Sequence, residues 1–215
     1  MSPLALSLLI ASAATAAVAL VAIPIGYVLA RARFAGRSLV EALLAMPLVL
    51  PPTVVGYLIL AVLGARGWPG AWLHAWFDYS IVFRIEGAIL AAAIVAFPLV
   101  YLPAKAAFAA IEHEYEDVAA LQGASRLQIF WHVSLPAARL GIGGGLVLGF
   151  ARALGEFGAT VMVFGWQPGR QTLPISIYSA YEQGKMAAAA PTVILMMVIC
   201  LVVVAAYNRM TAKPG

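Results

Sequence analysis

Charged side chains are scarce. Of 215 residues only 13 are Lys or Arg and 9 are Asp or Glu, 10% in all, where soluble domains carry about 25%. A water-facing surface of ordinary size is thereby excluded. There is one cysteine, Cys200, so no intramolecular disulfide forms; within a long apolar run it is expected to be a buried small hydrophobe, not a reactive thiol. The three histidines, His74, His113 and His132, lack ligand spacing, so no metal site is expected. No G-x-x-x-x-G-K-[S/T] loop occurs, so the chain is not expected to hydrolyse ATP. No catalytic residue and no cofactor of its own are expected.

Apolar residues are abundant: 64% of the chain, with a mean hydropathy of +0.96. Charge-free runs cover Leu4–Ala30, Ala42–Ala65, Gly87–Ala104 and Met186–Asn208, and a fifth run, Leu140–Phe164, is broken only by Arg152 and Glu156. At about 1.5 Å per residue, such runs suit a hydrocarbon core of roughly 30 Å. The expectation is an all-α membrane protein with five transmembrane helices; Thr172–Gln183 is a candidate short sixth, interfacial or re-entrant. Leu4–Ala30 has no Lys or Arg before it and its positive cluster after it, which reads as a retained helix and not a cleaved signal peptide.

Basic residues set the expected orientation. With the N-terminus outside, the inner segments carry Arg31, Arg33, Arg37, Lys105, Arg126, Arg139, Arg209 and Lys213, and the outer loops carry Arg66, Arg84, Arg170 and Lys185. The bias favours N-out, C-in. The pI near 9.4 is thus a topology signal; basic residues scattered over loops do not indicate nucleic-acid binding.

A polar island, residues 110–136, interrupts the apolar sequence. Glu112, Glu114, Glu116 and Asp117 open it, a small-residue patch and Gly123 follow, and Leu135-Pro136 closes it. Gly123 permits a left-handed helix end. Ser125 with Gln128 three residues on reads as a capping box that restarts the helix, and Pro136 suits the first turn of the next one. The spacing predicts a helix–turn–helix knuckle that offers Leu121, Leu127, Ile129 and Phe130 to a partner protein. The competing reading, an amphipathic loop lying on headgroups, is disfavoured because anionic lipid repels the acid cluster.

Prolines and glycines punctuate the spans. Pro47, Pro51 and Pro52 fall in the second, Pro98 and Pro103 in the third, where proline bends a transmembrane helix. The fourth is glycine-rich and holds a GxxxG spacing at Gly145–Gly149, which fits either packing within one subunit or a place near a dimer axis. Arg152 and Glu156, four apart, share a helix face. Arg152 lies roughly 20 Å along the helix from Arg139. Ionisable groups at such depth face a bundle interior or an aqueous cavity, so the pair is a structural ion pair, part of an anion path, or a direct substrate contact. Trp68, Trp72, Trp76 and Tyr79 are interfacial anchors or a surface for an external protein. An intramembrane enzyme would need a nucleophile near Arg152 and Glu156, and a secondary carrier would show an inverted repeat; neither is visible. A stand-alone channel remains a rival.

The island carries a family resemblance. Asp117-Val118-Ala119, then Gly123, then Val133-Ser134-Leu135-Pro136 resembles the EAA motif of ABC-importer permeases, with Asp for Glu and Val for the first Ala. The segments Pro47–Tyr57, Phe150–Thr160 and Pro168–Tyr178 resemble the molybdate branch of that family, with sulfate permeases similar around Gly155–Ala159. The resemblance spans residues 7–207 as one domain. It implies a type I importer permease in the bacterial inner membrane, multi-pass and homodimeric, carrying molybdate or the related tungstate or sulfate. The implied partners are two ATPase subunits, which bind ATP and Mg, and an external oxyanion-binding protein. The implied ATPase-docking residues are Asp117, Ala119, Ala120, Leu121, Gly123, Ala124, Ser125, Leu127 and Phe130. The implied pathway or gate residues are Arg152, Glu156, Gly155, Thr160, Pro51 and Pro52.

Overall fold

The computed structural model describes residues 1–211, and the described residues contain helices and no strands. Lys213, counted above among the inner basic residues, lies outside the described residues. Three helices are long and apolar enough to cross a membrane: α1 (Pro3–Arg31), α5 (Ile85–Ala109) and α12 (Met186–Thr211). Two bent pairs bring the number of spans to as many as five.

The bends fall where the chain lacks backbone donors or side-chain bulk. The second apolar run is broken: α2 (Arg37–Ala45) and a 3-10 turn at Met46–Leu48 precede α3 (Pro52–Leu63), with a bend of 109° between them. Pro51 is extended before α3 and Pro52 occupies its first turn, so no amide continues the hydrogen-bond ladder across the break. After α4 (Trp68–Phe77) and α5, the island forms α6 (His113–Leu121), α7 (Arg126–Ile129), a π turn (Phe130–Ser134) and α8 (Leu135–Ala137). A 75° bend then leads into α9 (Arg139–Leu154). The fourth apolar run, expected as one helix, stops at Leu154 and resumes as α10 (Gly158–Phe164). The candidate sixth span is α11 (Leu173–Glu182), capped by Thr172 and 10 residues long, about 15 Å and so half a bilayer core.

Helix α5 is central. Ala88, Ala92 and Ala96 are fully buried against Ala11 and Ala14 of α1, and small faces of this kind let backbones approach closely. On its other side α5 receives the glycine face of α9. A Cβ at Gly149 would sit 2.5 Å from Val100 Cγ2, and one at Gly145 3.2 Å from Pro103 Cβ. The GxxxG spacing therefore serves packing within one chain and is already occupied. Gly143 and Gly144 lie against Met210 and Tyr207 of α12. The remaining surface of α12 is bare, with Ala189 its buried residue. Cys200 accordingly is exposed, contrary to the expectation from its apolar context, because that helix turns most of its circumference outward.

Candidate docking and pathway sites

Basic residues segregate by end of the bundle. Arg31, Arg33, Arg37, Lys105, Arg126, Arg139 and Arg209 lie at the end that carries α6–α8; Arg66, Arg84, Arg170 and Lys185 lie at the other. At the first end Glu41 holds α2 to α5, accepting from Arg37 Nε at 2.8 Å and Lys105 Nζ at 2.7 Å. Both neighbours hold its carboxyl below the ordinary carboxylate range, as does their charge. At the opposite end α4 exposes Trp68, Trp72 and Trp76, while Tyr79 lies beneath the Arg84 guanidinium, 4.6 Å from ring centroid to Cζ.

The knuckle forms as its sequence predicts. Gly123 has φ +88°, a left-handed conformation that costs an L side chain about 1–2 kcal/mol. Its N–H donates to Ala120 O at 3.0 Å, and the next, Ala124 N–H, donates to Ala119 O at 3.1 Å, so the end of α6 is satisfied by its own turn. The capping box is complete: Ser125 N–H donates to Gln128 Oε1 at 2.8 Å and Gln128 N–H to Ser125 Oγ at 3.3 Å. Leu121 is 88% exposed and Leu127 67%, two large apolar side chains presented beside the turn. Asp117, Ala120 and Ser125 are also exposed, and Ala119 and Ala124 half-buried. Phe130 and Ile129 differ from expectation: Ile129 is buried and Phe130 packs edge-on against Tyr27 at 5.0 Å. They root the knuckle in the bundle, because the π turn rotates residues after Ile129 toward α1.

One acid of the island was not singled out by sequence spacing. Glu116 accepts from Arg31 Nη2 at 2.9 Å and Nε at 3.1 Å, and from Ser134 Oγ at 2.6 Å. Arg31 also donates to Ile111 O at 3.4 Å. Ser134 is fully buried. A partner 85 residues away leaves no local pattern to read.

The pathway candidates cluster at the second break. Arg152 Nη1 meets Glu156 Oε2 at 2.6 Å, and Glu156 Oε1 accepts the Ala159 N–H at 2.7 Å. Glu156 lies past the end of α9, beyond Gly155, so the pair bridges a helix break and not a helix turn. Its side chain thus satisfies the start of α10 and the guanidinium at once. Glu156 is 3% exposed, whereas the Arg152 side chain is 31% exposed and keeps donors free of the carboxylate. A Cβ at Gly158 would stand 3.0 Å from Pro52 Cβ, so the Pro51–Pro52 break abuts the Gly155–Phe157 break. Thr160 is 1% exposed and faces the packed interior in this conformation; Pro51 is exposed. The site is a junction of two interrupted helices with one available cation, about level with the Ala88–Ala96 face of α5.

Comparison with known proteins places this geometry. The family described as binding-protein-dependent transport system inner membrane component matches residues 22–213. The chain is 43% identical over 159 residues, 74% of its length and 69% of the relative's, to the molybdenum transport system permease protein ModB of Haemophilus influenzae. It is 40% identical over 189 residues, 87% of its length and 83% of the relative's, to the putative molybdenum transport system permease protein YvgM of Bacillus subtilis. A chain of the bacterial alginate ABC transporter, solved in complex with an alginate-bound periplasmic protein, superposes with a TM-score of 0.72 at 19% identity, covering 97% of this chain and 76% of that one.

Proposed function

The chain belongs to the family of inner-membrane components of binding-protein-dependent transport systems, and from that premise we propose that it carries molybdate into the cytoplasm as the permease subunit of an ABC importer. Its relatives are named for molybdenum transport, and the permease itself is no enzyme. The observation that carries the reading is the knuckle: a capped turn with Leu121 and Leu127 exposed on it, at the end of the bundle richest in Lys and Arg. That charge bias supports an N-out, C-in orientation with the knuckle in the cytoplasm. Two copies of the chain, two ATPase subunits and an external oxyanion-binding protein complete the assembly in this reading. The ATPases bind ATP and Mg; this chain binds no cofactor.

Asp117, Ala119, Ala120, Leu121, Gly123, Ala124, Ser125 and Leu127 form the ATPase-facing surface, with Phe130 as its root. The anion passes the junction formed by Pro51, Pro52, Gly155 and Glu156, where Arg152 supplies positive charge and Thr160 lies behind it. ATP binds the closed ATPase dimer more tightly than the open one, and that difference in affinity shifts the bundle between inward and outward access.

The test is reconstitution of the complex in liposomes with its ATPase and binding protein. ATP-dependent uptake of radiolabelled molybdate is expected, with tungstate competing and sulfate competing weakly. Uptake driven by sulfate in preference would move the substrate to sulfate. Flux without ATP would make the chain a channel.

A further inference from the structure

We propose that Glu116 is the positioning residue that transmits movement of the docking knuckle to the membrane helices; this rests on the permease reading above. Consecutive residues on a helix point about 100° apart, and the two acids side by side on α6 are divided accordingly. Asp117 is exposed on the partner-facing surface, while Glu116 turns inward and is largely buried.

Glu116 is held from two sides. The Arg31 fork approaches through two nitrogens, at 2.9 and 3.1 Å, and the Ser134 hydroxyl through one oxygen at 2.6 Å. Charge-assisted bonds of this length are the strong class, and a forked guanidinium fixes orientation as well as distance. Each donor belongs to a different part of the bundle. Arg31 is the last residue of α1 and also grips the Ile111 carbonyl just beyond α5. Ser134 closes the π turn that leads through α8 into α9. One carboxylate therefore joins the first knuckle helix to the ends of α1, α5 and α9. By contrast, the exposed turn at Gln122–Ala124 meets no other element closely; a Cβ at Gly123 would find nothing within 4 Å. Force applied at the knuckle tip reaches the spans through the Glu116 cluster. Without it, α6 swings about its links and the ATPase cycle runs without turning the bundle.

The complex is reconstituted with its ATPase and binding protein, and molybdate uptake and ATP hydrolysis are measured per assembled complex. Glu116→Ala is expected to keep stimulated hydrolysis while molybdate moved per ATP falls by about tenfold, an ordinary coupling between distant sites. Ser134→Ala, which leaves the Arg31 pair, gives a smaller fall, and the swap Arg31→Glu with Glu116→Arg recovers part of the ratio. A fall of hydrolysis and uptake in equal proportion, or an unchanged ratio, overturns the proposal.

A second measurement reads the joint whatever anion is carried. Spin labels are placed on Phe34→Cys and Glu114→Cys in a Cys200→Ser background. Their separation is expected to stay constant between nucleotide-free and ATP-bound complex, and to broaden when Glu116→Ala is added. A separation that changes with nucleotide while Glu116 is intact overturns the joint and leaves the permease reading standing. Absent uptake with a constant separation counts against molybdate alone.

Discussion

At the scale of single residues, the ion pair at the second helix break is asymmetric. Glu156 is buried and serves two partners, whereas Arg152 reaches partly into open space. Glu156→Gln keeps an oxygen for the Ala159 N–H and frees an arginine that water can reach. Arg152→Gln strands a carboxylate in the interior, and an uncompensated buried charge costs about 3–5 kcal/mol, less where the membrane admits water. Thermal unfolding of the purified permease should show Arg152→Gln losing clearly more stability than Glu156→Gln. The double variant should recover most of the loss, since no charge then remains. If Arg152 also draws the anion, that stable double variant still transports slowly. A double variant as unstable as Arg152→Gln would remove the charge argument. Charge reversal is not expected to rescue, because an arginine at 156 has no acceptor for Ala159.

At the scale of elements, what sequence made legible depended on how far a signal reaches along the chain. The Ser125–Gln128 box and the Gly123 turn are complete within a few residues, and both form as read. The apolar runs located the spans, since burial in lipid needs only length and hydropathy. Where the runs break was less legible. Pro51 and Pro52 announce a bend but not one of 109°, and the stop at Gly155–Phe157 depends on Glu156 taking up the next amide. Contacts between distant segments left no trace: Gly145 and Gly149 spell a motif whose partner is decided only when α5 lies beside it, and Glu116 needs Arg31. The turn itself gives a prediction. Gly123→Pro locks φ near −65°, far from +88°, and removes the donor to Ala120 O. In liposomes this variant should assemble but lose stimulation of ATP hydrolysis by loaded binding protein together with uptake. Normal stimulation would reject a docking role for the turn.

At the scale of the whole molecule, the segregation of Lys and Arg makes orientation testable. In intact cells, with Cys200 replaced, an impermeant maleimide should label a cysteine at Ser2 and spare one at Lys213. Labelling at 213 and not at 2 would put the knuckle on the wrong side for an ATPase. The π turn at Phe130–Ser134 has a consequence of another kind. A wide turn holds one residue more than the regular pitch needs, so it behaves as an insertion kept in phase by what surrounds it. Excising His132, exposed on that turn, would restore ordinary winding yet rotate everything downstream by about 100°. The glycine face of α9 would swing off α5 and a bulkier face would arrive in its place. The lengths of the two cytoplasm-side helices are thereby locked to each other: removing a residue is tolerated there only if another is restored before Arg139.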